Sequence, residues 1–201
     1  MALNFANNNS LSAITALPAS ITGGALTLLS TQTASSSSTI SFTSGLDSTY
    51  KEYIFKYINI HPATDDQKFT FNLSIDSGSN YNVTKTTSAF RAFHTEDDSS
   101  TSLSIRTGDD LAQSTDFQGL TGSVGNDNDQ SCSGVLHLFD PSSTTFVKHF
   151  TSNVQQILGG NSSRQDFIAG YANTTSAVDA VQFKFASGNI DSGVIKLYGV
   201  S

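Results

Sequence analysis

A strict alternation of apolar and polar residues is the feature that most constrains how this chain can fold. In residues 68–75, KFTFNLSI, every second residue is large and apolar, and residues 179–185, DAVQFKF, repeat the pattern. Successive side chains of a β-strand point to opposite faces, so a period of two places the apolar residues on one face. Both segments are therefore predicted to be β-strands with one buried face and one polar face.

Further strand candidates follow along the chain, separated by clusters of Asp, Asn, Gly, Pro and Ser that favour turns. Residues 53–60 are apolar on both faces, which predicts a central or covered strand. About ten short strands in one chain predict an all-β fold, a single antiparallel β-sandwich that is jelly-roll-like. The other candidates span residues 26–31, 38–43, 88–93, 101–106, 133–139, 144–150, 165–172 and 193–199.

The composition agrees with such a fold and says how its faces are built. Charged residues make up only 13% of the chain, against a usual share of roughly 25%. The 14 Phe and 6 Tyr argue against disorder. We therefore expect Phe, Val and Ile inside, Ser, Thr, Asn and Gln outside, and acidic residues confined to turns. Charged residues on an edge strand prevent it from pairing with another chain, and here such residues would be scarce. We interpret this as a sign of self-association.

Charge, hydropathy and cysteine content disfavour several classes of protein. The net charge of -7 disfavours binding to nucleic acid. No apolar run approaches the ~18 residues of a membrane span, and the first residues lack the basic and apolar regions of a secretory signal. The single cysteine, Cys132, excludes a disulfide framework or a thiolate metal cluster within one chain.

The first 24 residues differ in composition from the rest of the chain. We predict an extended N-terminal arm over residues 1–24 and the β-sandwich domain over residues 25–201. A loosely packed terminus is the alternative, but the segment is more apolar than a free tail requires. We therefore interpret it as an attachment segment. Its predicted partner-binding residues are Leu3, Phe5, Leu11, Ile14 and Leu17.

No catalytic, cofactor-binding or metal-binding residues are predicted. The four histidines show no zinc-binding spacing, and no Gly-x-Ser-x-Gly motif occurs. His137 and His149 flank a turn and are expected to face each other across two strands. The Asp127–Asp129 turn offers alternating oxygen ligands but lacks the downstream glutamate of a calcium loop. The chain is therefore expected not to be an enzyme.

The chain resembles the small virion structural proteins of marine tailed phages, the cyanophages and pelagiphages. The resemblance extends over nearly the whole chain and depends on several segments in this order. They are MALNFANNNSLSAI (residues 1–14), STQTASSSSTISFTSG (30–45), YNVTKTT (81–87), FVKHF (146–150) and FASGNIDSGVIKLYGV (185–200).

This resemblance implies a non-enzymatic component on the outside of a virion, either a tail-fibre or head-fibre subunit or a capsid decoration protein. It implies that the arm binds other virion proteins of the capsid or tail, that the subunit forms a homo-oligomer, and that no cofactor is needed. The protein would be made in the host cytoplasm and reside in the virion. The alternative is a carbohydrate-binding, receptor-binding β-sandwich module that recognises a host-surface glycan. Its candidate aromatic residues are Tyr50, Tyr53, Tyr81 and Tyr171.

Overall fold

The computed structural model describes residues 25–201, which form twelve β-strands in two packed antiparallel sheets. This arrangement confirms the predicted all-β sandwich. The larger sheet contains β1 (Leu26–Ser37), β3 (Glu52–Pro62), β5 (Lys85–Thr95), β6 (Thr101–Ile105), β8 (Cys132–Phe139), β9 (Lys148–Leu158), β10 (Ser162–Ala172) and β12 (Ile190–Val200). The smaller sheet contains β2 (Ile40–Phe42), β4 (Phe69–Ser74), β7 (Gln118–Gly119) and β11 (Ala180–Phe185).

The chain crosses between the two sheets several times, whereas β5–β6 and β8–β9–β10 follow one another within the larger sheet. The strand order is β1-β12-β3-β8-β9-β10-β5-β6 in the larger sheet and β2-β11-β4-β7 in the smaller one. The first and last strands, β1 and β12, are hydrogen-bonded neighbours. The N–H of Ser201 donates to the carbonyl oxygen of Ala25, so the described chain begins at one edge of the larger sheet.

Aromatic side chains from both sheets fill the space between them. Phe183 of β11 lies at the centre, with its ring centroid 5.4 Å from that of Phe55 and 5.9 Å from that of Tyr57, both on β3. Phe183 also stacks on Phe69 of β4, at 5.7 Å and an interplanar angle of 13°. All four side chains are buried. This cluster joins the sheets, because burial of apolar area is the main source of stability in such a core.

The two segments with the strictest alternation form paired strands of the smaller sheet. Residues 69–74 are β4 and residues 180–185 are β11, and they are hydrogen-bonded to each other. The segment that is apolar on both faces, residues 53–60, lies in β3 between β12 and β8, which confirms that it is a central strand. Ile75, predicted to share the buried face of β4, lies beyond the strand and is 43% exposed.

One predicted strand is displaced from its expected position. The segment 144–150 was expected to be a strand, whereas β9 begins at Lys148 and continues to Leu158. Polar residues, among them Ser152 and Gln156, occupy the inward face of this strand. The missing apolar alternation explains why the second half of β9 was not predicted. The two-residue strand β7 is too short to produce any pattern.

The predicted N-terminal arm, with its candidate residues Leu3, Phe5, Leu11, Ile14 and Leu17, lies outside the residues that the structure describes. The described chain starts one residue before β1. Over residues 25–201, no helix has the length and apolar character needed to cross a membrane.

Candidate interaction surface

Exposed apolar side chains concentrate on one face of the larger sheet. One face of this sheet packs against the smaller sheet, and we name the opposite face the outer face. Among residues 25–201, nine large apolar side chains are exposed, and strand register and alternation place seven of them on the outer face. Contiguous exposed apolar area of this kind marks an interaction surface. The seven residues are Leu26, Leu28, Ile58, Phe90, Leu103, Ile105 and Phe139.

The largest group of these side chains lies at the β6 edge. Phe90 of β5 is paired with Ile105 of β6 on one side and with Phe167 of β10 on the other. The Phe90 and Phe167 rings are stacked, with centroids 4.7 Å apart and an interplanar angle of 9°. Leu103 and Ile105 are 76% and 69% exposed. We name this group the β6 corner (Phe90, Leu103, Ile105 and Phe167).

A second apolar group lies at the opposite edge of the same face. Leu26 and Leu28 of β1 are exposed, and Leu28 is paired with Tyr198 of β12. The ammonium group of Lys56 lies 5.4 Å from the centroid of the Tyr198 ring, within the range of a cation–π contact. We name this group the β1 corner (Leu26, Leu28 and Tyr198).

Polar side chains separate the two corners. Asn153 and Gln155 of β9 alternate along the outer face, and the side-chain amide of Gln165 donates to Asn153 Oδ1 at 2.8 Å. We name these three residues the amide band. Nearby, His137 Nδ1 lies 2.6 Å from Glu52 Oε1. The outer face is therefore apolar at both edges, and its middle strands carry polar side chains together with the exposed Ile58 and Phe139.

The two edges of the larger sheet are open and uncharged. The edge strands are β1 and β6, and neither contains an Asp, Glu, Lys or Arg residue. Within residues 25–201, each has a strand on one side only, and charged residues are the usual protection of such an edge. The edge strands of the smaller sheet, β2 and β7, are only three and two residues long.

A buried ionic cluster lies on the inner side of the larger sheet, where the sequence analysis predicted no charge. Asp166 of β10 is fully buried, and its carboxylate accepts hydrogen bonds from Arg164 at 2.9 and 3.0 Å. Arg106 donates to it at 2.7 Å and Gln156 at 2.5 Å. The expectation that acidic residues are confined to turns is therefore wrong for Asp166. Burial lowers the pKa of the Arg164 guanidinium, and the hydrogen bond and charge of Asp166 act in the opposite direction.

A second buried charge connects the two sheets. The ammonium group of Lys85, on β5, donates to Asn72 Oδ1 of β4 at 2.5 Å and to the carbonyl oxygen of Val83 at 2.7 Å. Burial lowers the pKa of Lys85 to about 8. Thr70, Asn72 and Ser74 make up the polar face of β4, and all three are buried. Alternation correctly separated the two faces of β4, but the polar face is not exposed to solvent.

The histidines do not come together as predicted. His137 is paired with Thr151, whereas His149 is paired with Tyr171, so the expected contact between the two histidines is wrong. Cys132 is buried, and burial raises the pKa of its thiol. Over the described part of the chain, no group of three or more His, Cys, Asp or Glu residues could hold a metal ion.

Of the four tyrosines predicted as candidates for glycan contact, Tyr53 is buried, and Tyr50 packs against it with ring centroids 5.8 Å apart. Tyr81 and Tyr171 are half-buried, and strand register places Tyr171 on the outer face. That face also carries the exposed Phe90, which was not among the candidates. The spacing of two phenylalanines in β5 indicates an outward aromatic ring. Phe90 and Phe93 are three residues apart, so their side chains point to opposite faces of the sheet.

Comparisons with known proteins add no family to this description. No protein-family model matches the chain, and neither a curated protein nor a solved structure matches it.

Proposed function

We propose that this chain is a non-enzymatic structural protein of a tailed-phage virion, an external fibre subunit or a capsid decoration protein that associates with copies of itself. The observation that carries the proposal is the larger sheet, whose two edge strands are open and uncharged. The seven exposed apolar residues of its outer face add area that association would bury. The resemblance of the sequence to virion proteins of tailed phages supports the virion as the place where the protein acts.

The surface chemistry suits a particle protein. Surface ion pairs are weak and are screened by salt, so a subunit held by apolar contacts and backbone hydrogen bonds loses little in saline surroundings. The chain has only 10 basic and 17 acidic residues, and its edge strands have none. Association through these strands would therefore be nearly independent of ionic strength.

Attachment to the particle is assigned in this proposal to residues 1–24. The test is binding of purified protein to phage particles that lack it, with the full chain and a variant without residues 1–24 compared by co-sedimentation. We expect the full chain to bind and the shortened chain to remain in the supernatant. Circular dichroism of the shortened chain is the control for folding. Equal binding by both proteins would contradict attachment through the arm, and no binding by either would contradict the virion proposal itself.

Glycan binding is the second candidate function, and one feature of the outer face favours it. A depression of about 390 Å³ is lined by residues that include Phe90, Phe167, Thr151 and Asn153. Sugars pack their apolar faces on aromatic rings and take hydrogen bonds from hydroxyls and amides. A glycan array with the recombinant protein tests this, and Phe90→Ala should abolish any signal. Phe146→Ala, at an exposed residue outside the strands of the larger sheet, is the matched control.

A further inference from the structure

We infer that the side chains of Lys85 and Asn72 react with each other to form an intramolecular isopeptide bond. The bond joins β5 of the larger sheet to β4 of the smaller sheet, so it is a covalent link across the sandwich. Both residues lie in the interior of the described chain, so the virion proposal can fail without affecting this bond.

The amine and the amide are in contact between the two sheets. Lys85 and Asn72 are both 0% exposed. Lys85 Nζ lies 2.5 Å from Asn72 Oδ1, and it also donates to the carbonyl oxygen of Val83 at 2.7 Å. Two groups that the fold holds at contact distance react as an intramolecular pair, which removes much of the entropic barrier to bond formation.

The side-chain amide of Asn72 is polarised and held by its other neighbours. Its Oδ1 accepts a second hydrogen bond, from the backbone N–H of Leu73 at 2.8 Å. Its Nδ2 donates to the carbonyl oxygens of Tyr81 and Thr115, at 2.7 and 2.9 Å. A donor aimed at an amide oxygen stabilises the negative charge that this oxygen gains when the amide carbon is attacked. The Leu73 N–H is placed to supply that stabilisation.

Burial supplies the unprotonated amine that the attack requires. The pKa of Lys85 is lowered to about 8, because burial disfavours the charged ammonium form. The charge of Asp116 acts in the opposite direction and limits the shift. Lys85 is therefore largely uncharged in mildly alkaline solution, and a desolvated lysine is an effective nucleophile.

The reaction exchanges one amide for another and needs no further reactant. The lone pair of Lys85 Nζ forms a bond to Asn72 Cγ, and the π electrons of the C=O bond move to Oδ1. A proton passes from Nζ to Nδ2, the Cγ–Nδ2 bond breaks, and the C=O bond re-forms as ammonia leaves. One amine and one carboxamide thus give one secondary amide and one ammonia. Unreacted protein keeps an ionisable Lys85, and bonded protein does not.

Tryptic mapping of the native protein tests the inference, because trypsin cleaves after a charged lysine and an amide-linked lysine has lost its charge. Cleavage after Lys68 and Lys85 releases residues 69–85 from unreacted protein. The bond blocks cleavage after Lys85, so bonded protein releases residues 69–91, with a mass lower by one ammonia.

Folded protein is incubated at neutral pH and at a pH above the pKa of Lys85, and samples are unfolded and digested at intervals. We expect residues 69–85 to be replaced with time by the ammonia-deficient fragment of residues 69–91. The replacement should be faster at the higher pH, because more of the amine is unprotonated there.

Lys148 is the matched control within the same digest. It is also 0% exposed, but its ammonium group donates to the backbone carbonyl oxygens of Ser143, Phe146 and Thr174. These acceptors carry no amide that can be lost as ammonia, so cleavage after Lys148 should stay complete at every time point.

Two further controls separate the fold from the chemistry of the side chains. Protein incubated in urea should keep normal cleavage after Lys85, because the unfolded chain no longer holds the amine against the amide. Lys85→Arg keeps the positive charge but carries a guanidinium that stays protonated, so this variant should lose no ammonia.

The remaining outcomes overturn the inference. Complete cleavage after Lys85 at every time and pH would show that the contact does not proceed to a bond. Loss of ammonia that persists in Lys85→Arg would assign it to ring closure of Asn72 on the backbone nitrogen of Leu73. Equal conversion in folded and in urea-unfolded protein would show that the fold does not position the two groups.

Discussion

At the scale of single residues, the unusual feature is the number of buried charged side chains in a chain of which only 13% is charged. Asp166, Arg164 and Arg106 form one buried cluster, and Lys85 is buried elsewhere in the sandwich. A buried ion pair adds little net stability over apolar residues, but removal of one partner is costly because the other charge stays buried. These residues therefore constrain which strands can pack together.

Asp166→Asn should destabilise the protein strongly, because it leaves the guanidinium groups of Arg164 and Arg106 without this carboxylate. We expect the free energy of unfolding to fall by about 3–5 kcal/mol, measured by urea denaturation. Asp98→Asn is the matched control, since Asp98 is exposed and its carboxylate contacts only the exposed side chain of His94, at 2.9 Å. Equal losses in the two variants would contradict the central role of the buried cluster.

Lys85 should make stability depend on pH above neutrality. Its pKa is lowered from 10.5 to about 8 in the folded protein, so the unfolded chain binds more protons between these values and the stability contribution of Lys85 rises with pH across that window. The rise is on the order of 3 kcal/mol.

Lys85→Met, of similar length and uncharged, should lack this rise. The measurement is urea denaturation at several pH values between about 7 and 11, a range that includes the pKa of Lys85 in the folded and in the unfolded chain. The difference in unfolding free energy between the native protein and the variant cancels the titration of other groups. A difference that stays constant with pH would show that Lys85 titrates normally.

At the scale of elements, the sequence pattern of a strand does not reveal its place in the sheet, as the edge strand β1 and the interior strand β9 show. The edge strand β1 has an ordinary polar composition, yet within the described residues one side of this twelve-residue strand has no neighbour. The interior strand β9 lacks apolar alternation, yet it pairs along its whole length with β10 and over residues 150–156 with β8. Neighbouring strands, more than intrinsic preference, decide where such segments become strands.

Self-association through β1 should be sensitive to one added charge. Thr33→Lys places an ammonium group on this open edge, where a lysine is the typical protection against pairing. We expect a lower average mass in multi-angle light scattering than for the native protein. Thr175→Lys makes the same change at an exposed residue of the loop between β10 and β11 and should leave the mass unchanged. Equal masses for native protein and Thr33→Lys would contradict association through this edge.

At the scale of the whole molecule, one aromatic cluster holds the two sheets together. Phe183 of the smaller sheet contacts Phe55 and Tyr57 of the larger sheet and Phe69 of its own. Strands that are far apart in sequence, such as β1 and β12, pair within the larger sheet, so the fold depends on long-range contacts. Loss of the central ring should therefore weaken the fold as a unit.

Phe183→Ala should lower the free energy of unfolding by about 3–5 kcal/mol, because it removes a fully buried ring and leaves a cavity between the sheets. Phe146→Ala, at a side chain that is 69% exposed, is the matched control and should have little effect. Thermal and urea denaturation both measure the difference. Similar stabilities of the two variants would show that the core relaxes around the missing ring.

Much of the fold could be predicted because alternation is a local property. Residues 69–74 and 180–185 show it and became β4 and β11, and the doubly apolar residues 53–60 became a central strand. The low charge of the edge strands was also visible in the sequence. Less of the candidate surface could be predicted, since the exposed Phe90 of β5 and the buried Phe150 of β9 look alike in the sequence until the order and packing of the strands are known.

The sequence by itself determined that this chain forms antiparallel strands with two distinct faces, because side chains alternate along every extended backbone whatever its neighbours are. Only the tertiary structure decided which faces are covered. It buried the polar face of β4 and placed Asp166 inside, and it left Leu103 and Ile105 in solvent. The physical reason is that burial depends on the order and packing of sheets, which are set by contacts between residues distant in sequence.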